Sequence, residues 1–194
     1  MNSTTNWFFL KATCSFMPGT SLSNFSALRK FDAWLRTLPC RYKLAVPGNH
    51  DGLLTDFENR SLLKNATLLM NSDVVVEGIR IWGSPVTPLP NVAFGMPDAA
   101  ERKKLWATIP KNVDIVVTHC PPHGIRDQED GSELHQGCPE LRDAILRLRP
   151  RLHVFGHIHN GYGVTPTEHT TFVNAALYDG GDPIVLNFNA KRSR

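Results

Sequence analysis

With 194 residues the chain has room for one domain of ordinary length, roughly 150 residues, and little besides. Apolar residues at 41% and charged residues at 20% exclude a disordered or collagen-like chain. Lys and Arg number 21 against 18 Asp and Glu, a formal charge of +3, and the like charges clustered at Lys191, Arg192 and Arg194 are too few to indicate a dedicated nucleic-acid surface.

No stretch approaches the roughly 20 apolar residues of a membrane span, and the first six residues carry none of the basic charge that opens a secretory signal. The four cysteines, Cys14, Cys40, Cys120 and Cys138, are widely spaced and form no C-x-x-C, which suits reduced thiols and a cytoplasmic location. Without an export signal, the N-x-S/T sequons at Asn2, Asn24, Asn59 and Asn65 read as chance matches.

In chain order, residues 7–12 read as a short strand and Met17-Pro18-Gly19-Thr20 as the turn that ends it. A helix follows, capped by Ser23 or Ser26, with Phe25, Leu28, Phe31, Leu35 and Leu38 on one face and Pro39 as its stop. Residues 42–46 form an apolar strand that ends at Pro47 and delivers the loop Gly48-Asn49-His50-Asp51. Residues 53–63 are expected to be helical. Short strands are expected at 68–70, 74–76 and 79–82, with Glu77-Gly78 as the tight turn between the last two.

Four prolines keep residues 84–97 irregular until Asp98 caps a helix, with Glu101 three residues on as in a capping box. The β-branched run at 113–118 predicts a strand delivering His119. Pro139 opens a helix through Leu148, and Pro150 precedes a strand at 152–155 that delivers Gly156-His157-Ile158-His159. Strands at 171–174 and 184–188 close the chain. Strands alternating with helices and paired hairpins predict an α/β layered domain without internal repeats.

Three separate strands therefore end in loops bearing amide or imidazole groups: Asn49 with His50, then His119, then His157 with His159. The carboxyl ends of strands in α/β sheets are where ligands gather, and neutral imidazoles flanked by glycine suit transition metals. His123, His135, His153 and His169 read as solvated or capping loop residues, and Cys120 and Cys138 as small buried side chains.

The series Gly48-Asn49-His50-Asp51, Thr118-His119 and Gly156-His157-Ile158-His159 resembles the last three motifs of the calcineurin-like metallophosphoesterases, whose full run is D-x-H, G-D, G-N-H-D/E, H and G-H-x-H. Finer detail is similar to the class III phosphodiesterase branch of metallophosphoesterase domain-containing proteins. The residues concerned are Phe31-Asp32-Ala33-Trp34-Leu35, Ile81-Trp82-Gly83-Ser84-Pro85, Thr118-His119-Cys120-Pro121-Pro122 with Gly124 to Asp127, and residues 153–163. The resemblance covers about residues 12–188, within one domain spanning 1–194.

The resemblance implies a two-sheet β sandwich flanked by helices and hydrolysis of a phosphoester, nucleotides included, by a metal-activated water. It implies Asn49, His119 and His157 as ligands of one ion, His159 as a ligand of a second, and His50 as the imidazole serving the leaving oxygen. Manganese, iron or zinc would be the cation.

The sequence departs from the family at its start. Met1 to Leu10 holds neither Asp nor His, and Thr13-Cys14 stands where Gly-Asp belongs. Asp32, inside its helix, reads as a solvated residue. Cys14 is an ordinary thiol on the simplest reading and a thiolate ligand on another. The expectation is an N-terminally truncated metallophosphoesterase domain binding one ion at most. Its alternatives are a non-catalytic nucleotide- or partner-binding protein, or a truncated gene product.

Overall fold

The computed structural model describes residues 8–11, 24–177 and 182–188. Two sheets stack face to face. The smaller holds β1 (Phe8–Lys11), β2 (Tyr42–Ala45) and β3 (Thr67–Leu68), all parallel and in that order. The larger contains β4 (Ser72–Val76), β5 (Ile79–Ser84), β6 (Ile115–Thr118), β7 (Leu152–Phe155), β8 (Gly163–Pro166) and β9 (Thr171–Asn174), ordered β4-β5-β6-β7-β9-β8. Its four central strands run parallel, and antiparallel β4 and β8 close the edges.

Alternation along the central strands makes the layers. Ile81, Val117, Val154 and Val173 point from the large sheet onto Leu44 and Val46 of the small-sheet side, forming the core between sheets. The intervening residues Trp82, Val116, Phe155 and Phe172 face the other way, under the helices α3 (Ala99–Trp106) and α4 (Pro139–Leu148). On the outer face of the small sheet, α1 (Phe25–Thr37) buries Leu28 and Leu35 against Ala45, Leu54 and Leu63. The order helix, sheet, sheet, helices is the two-sheet sandwich that the family resemblance implies.

Local chemistry sets the element ends. The α1 cap is Asn24, whose Oδ1 accepts from the Ala27 amide at 2.9 Å, in place of the expected Ser23 or Ser26. Asp98 caps α3 by accepting from Glu101 N at 2.9 Å, as the sequence indicates. Glu77 and Gly78 both take positive φ, 49° and 79°, as a two-residue hairpin turn requires.

Further expectations change. Residues 53–63 hold only a 3-10 turn, Gly52–Thr55, and the single-turn helix α2 (Phe57–Arg60). Residues 184–188 are irregular, although Ile184 and Phe188 still pack on the inter-sheet core. The edge strand β8, which runs from Gly163 to Pro166, carries no alternating apolar signal and is absent from the sequence reading.

Asp32 is a bracket, and not a solvated residue: its carboxylate accepts from Lys64 N at 2.7 Å and Asn65 N at 2.8 Å, fixing the turn into β3. The turn expected at 17–20 and Cys14 lie outside the described residues. Among the described residues no helix is long and apolar enough to cross a membrane.

Candidate metal centre at the strand ends

The loops after β2, β6 and β7 meet at one end of the sandwich. Asn49 Oδ1 and His119 Nε2 are 2.8 Å apart, and the His119 and His157 rings stand 4.8 Å centroid to centroid at 69°. His119 is buried, at 3% exposure, while Asn49 and His157 are half-buried and His50 is exposed at the rim. Burial holds the His157 imidazole below its ordinary pKa, and the neighbouring His50 and His159 rings depress it further, with Glu129 opposing them. His50 and His159 thus lie close enough to His157 to act on it electrostatically.

Backbone devices aim these groups. A Cβ on Gly48 would lie 2.7 Å from Cε1 of His119, so only glycine lets the β2 loop close over that ring. Asp51, fully buried, accepts from Gly48 N at 2.7 Å and its own amide donates to Gly48 O at 2.9 Å. That carboxylate serves the loop. His157 adopts φ 71°, a left-handed conformation costly for a non-glycine residue, immediately after β7.

Residues that sequence reasoning missed hold that loop. Asn174, buried at the end of β9, donates from Nδ2 to Ile158 O at 2.8 Å and Arg126 O at 3.0 Å, and accepts from Ala176 N at 3.0 Å. Arg126 donates to Thr165 Oγ1 at 2.7 Å and to the carbonyls of Gly161, Tyr162 and Val164. Gly161 fits beneath: a Cβ there would meet Arg126 O at 2.1 Å. No short motif marks Asn174, whereas Arg126 and Gly161 lie inside the stretches 124–127 and 153–163 that carry the family resemblance, without a role assigned to them there.

His153 is also misread from sequence. It is fully buried on β7, not solvated at a loop tip, and packs on Phe155 and Phe172 with ring centroids 5.0 and 5.9 Å away. The Thr118 hydroxyl donates to Cys120 O at 2.7 Å, so at 2.9 Å it accepts the Nε2 proton of His153. That bond pins the turn bearing His119. Burial pushes the His153 pKa down to about 3.

Two imidazoles sharing a tetrahedral ion at about 2.0–2.1 Å bring their centroids roughly 5 Å apart, the spacing seen for His119 and His157. With Asn49 Oδ1 beside them, the donors fit one divalent cation. They do not fit two. Among the described residues no three His, Cys, Asp or Glu side chains converge to enclose an ion, and the nearby carboxylate of Asp51 is committed to Gly48. Beside Asn49 and His50 opens a cavity of about 630 Å³, walled by Leu53, Asp56, Asn59 and residues 91–93.

Comparison with known proteins assigns the family. Residues 19–161 match the family model of the calcineurin-like phosphoesterases. The chain is 39% identical over 185 residues to human metallophosphoesterase domain-containing protein 1, covering 81% of this chain and 57% of that protein. It is 31% identical over 194 residues to UPF0046 protein C25E10.12 of Caenorhabditis elegans, covering 87% of this chain and 69% of that one. The chain thus spans little more than half the length of the human relative.

Among solved structures, TT1561 of Thermus thermophilus superposes with a TM-score of 0.53 at 16% identity, over 86% of this chain and 75% of that one. A second solved structure gives 0.61 at 20% identity, over 78% of this chain and 63% of that one. Sandwich, strand-end histidines and family match coincide over the same segment, and the chain belongs to the calcineurin-like phosphoesterase family.

Proposed function

We propose that this chain binds a small phosphoester, nucleotides included, through one divalent cation, and turns it over slowly. Asn49 Oδ1, His119 Nε2 and the His157 imidazole would hold the cation, with manganese, iron or zinc as candidates. A bound cation supplies Lewis acidity to a phosphoryl oxygen and neutralises part of its charge.

The chain's own residues supply the rest. His50, exposed at the rim beside Asn49, would donate a proton or hydrogen bond to the ester's leaving oxygen. The adjoining cavity would take the leaving group. His159, half-buried two residues after His157 on the same loop, would stand beside the bound phosphoryl group. The observation that carries the reading is the convergence of Asn49, His119 and His157 from three strand ends.

Slow turnover follows from the donor set. Among the described residues no carboxylate stands free beside Asn49 and His119 to bridge a second ion or orient an attacking water. The same observation favours a second reading, binding without hydrolysis. A reducing compartment such as the cytoplasm is proposed from the unpaired Cys40, Cys120 and Cys138 thiols. No nucleic-acid or membrane partner is proposed.

Calorimetric titration with manganese, beside a phosphodiesterase assay, tests the proposal. The wild-type chain should bind an equivalent that His119→Ala lacks, with turnover far below the roughly 1–1000 per second typical of enzymes. Enzyme-like turnover abolished by His119→Ala would refute slow hydrolysis. Equal manganese binding by both forms would refute the site.

A further inference from the structure

We propose that His123 and His135 form a second, separate transition-metal site, suited to zinc or copper(II). It stands on different residues from the strand-end centre and does not rest on the phosphoesterase reading.

Their rings are 5.0 Å apart centroid to centroid, tilted by 51°. That is again the roughly 5 Å separation of two imidazoles on one tetrahedral ion. His135 Nδ1 donates to Asp127 Oδ1 at 2.7 Å, so in the neutral ring the proton is committed there and the Nε2 lone pair is left for a ligand. A carboxylate behind a histidine is the usual outer partner of a metal-bound imidazole, fixing its tautomer and raising its basicity.

Asp127 is built for that position. It is 1% exposed, and its other oxygen accepts from Gly124 N at 2.9 Å and Gly137 N at 3.0 Å. The carboxylate cannot turn without breaking backbone bonds, whereas His135, 38% exposed, opens to solvent. The backbone brings the two histidines together: His123 N donates to Cys138 O at 3.2 Å, and a Cβ on Gly137 would strike Pro122 at 2.6 Å. Both ends of the loop are thereby clamped side by side.

Among the described residues no third His, Cys, Asp or Glu completes this pair, so water would fill the remaining positions. Two imidazoles without a bound carboxylate suit borderline cations such as zinc and copper(II), not magnesium or calcium. The loop they bracket carries Glu129, which acts electrostatically on His157, so an ion here would stiffen a segment bordering the strand-end centre.

Zinc titrated into the wild-type chain, followed through histidine ring resonances, tests the site, because His119 and His157 report the other centre in the same spectrum. The ring signals of His123 and His135 should shift with saturable zinc dependence. His123→Ala and His135→Ala should each bind about one equivalent fewer than wild type by calorimetry. Unmoved His123 and His135 signals on zinc addition would overturn the proposal even if a variant failed to fold. Undiminished zinc stoichiometry in both folded variants would do the same.

Discussion

Asn49 and His119 touch at 2.8 Å although they follow strands of different sheets, β2 of the small one and β6 of the large one. The contact joins the two layers at their carboxyl ends. It depends on how closely the β2 loop can approach a buried imidazole.

Gly48→Ala tests that dependence. The new methyl would sit 2.7 Å from Cε1 and 2.8 Å from Nδ1 of His119, a ring too buried to swing aside. Overpacking of this kind costs roughly 1–3 kcal/mol. Manganese affinity should fall with stability, because the loop retreats and takes Asn49 away from His119. Gly52→Ala, where a Cβ meets nothing within 4 Å, is the control and should change both quantities little. Denaturant melts and calorimetry read the two effects.

Asn174→Ala should loosen the His157 loop without touching it directly. Removing the amide takes the donor from buried Arg126 O and leaves Ile158 O with only the Gly161 amide at 3.2 Å, at a cost of about 1–3 kcal/mol. Amide exchange at residues 157–161 should accelerate beyond the global change. Exchange that rises evenly across the chain would mean that Asn174 contributes only to overall stability.

Asp32→Ala separates a structural carboxylate from a metal ligand. Its oxygens hold Lys64 N, Asn65 N and, at 2.8 Å, Asn65 Nδ2, on the far side of the small sheet from the inter-sheet core. Stability should drop by roughly 1–3 kcal/mol while manganese affinity of the folded variant stays unchanged. A loss of manganese binding by a variant that still folds would place Asp32 at the cation.

What the sequence reveals follows from how far apart the deciding residues lie. The strands β6, β7 and β9 and the helix α4 are legible because β-branched runs, Pro139 and Pro150 are local signals. The strand-end groups are legible because each sits beside its own strand. Asn174 is not, since its role is defined by Arg126 and Ile158, 48 and 16 residues away. Asp32 is not, because its partners lie 32 and 33 residues on. His153 escapes for the same reason, its meaning set by Thr118 on the neighbouring strand.

His153 also gives the chain a specific acid sensitivity. Its folded pKa is lowered by burial to about 3, from an ordinary value of 6.5. Above about pH 6.5 the imidazole is neutral in both folded and unfolded chains, and it adds no pH dependence. Between pH 6.5 and 3 the unfolded chain takes up a proton that the folded chain refuses, so stability falls as pH falls, by about 1.4 kcal/mol per unit.

By pH 5 the loss from this one group should be on the order of 2 kcal/mol. His153→Phe removes the titrating group while keeping a ring among Phe155 and Phe172. At pH 8 the variant should be less stable by about 1 kcal/mol, the worth of the bond to Thr118. Its stability should decline less steeply with acid, so the two curves cross between pH 8 and pH 5. Urea unfolding across that range measures both slopes, and parallel curves would show that His153 is protonated alike in the folded and unfolded chains.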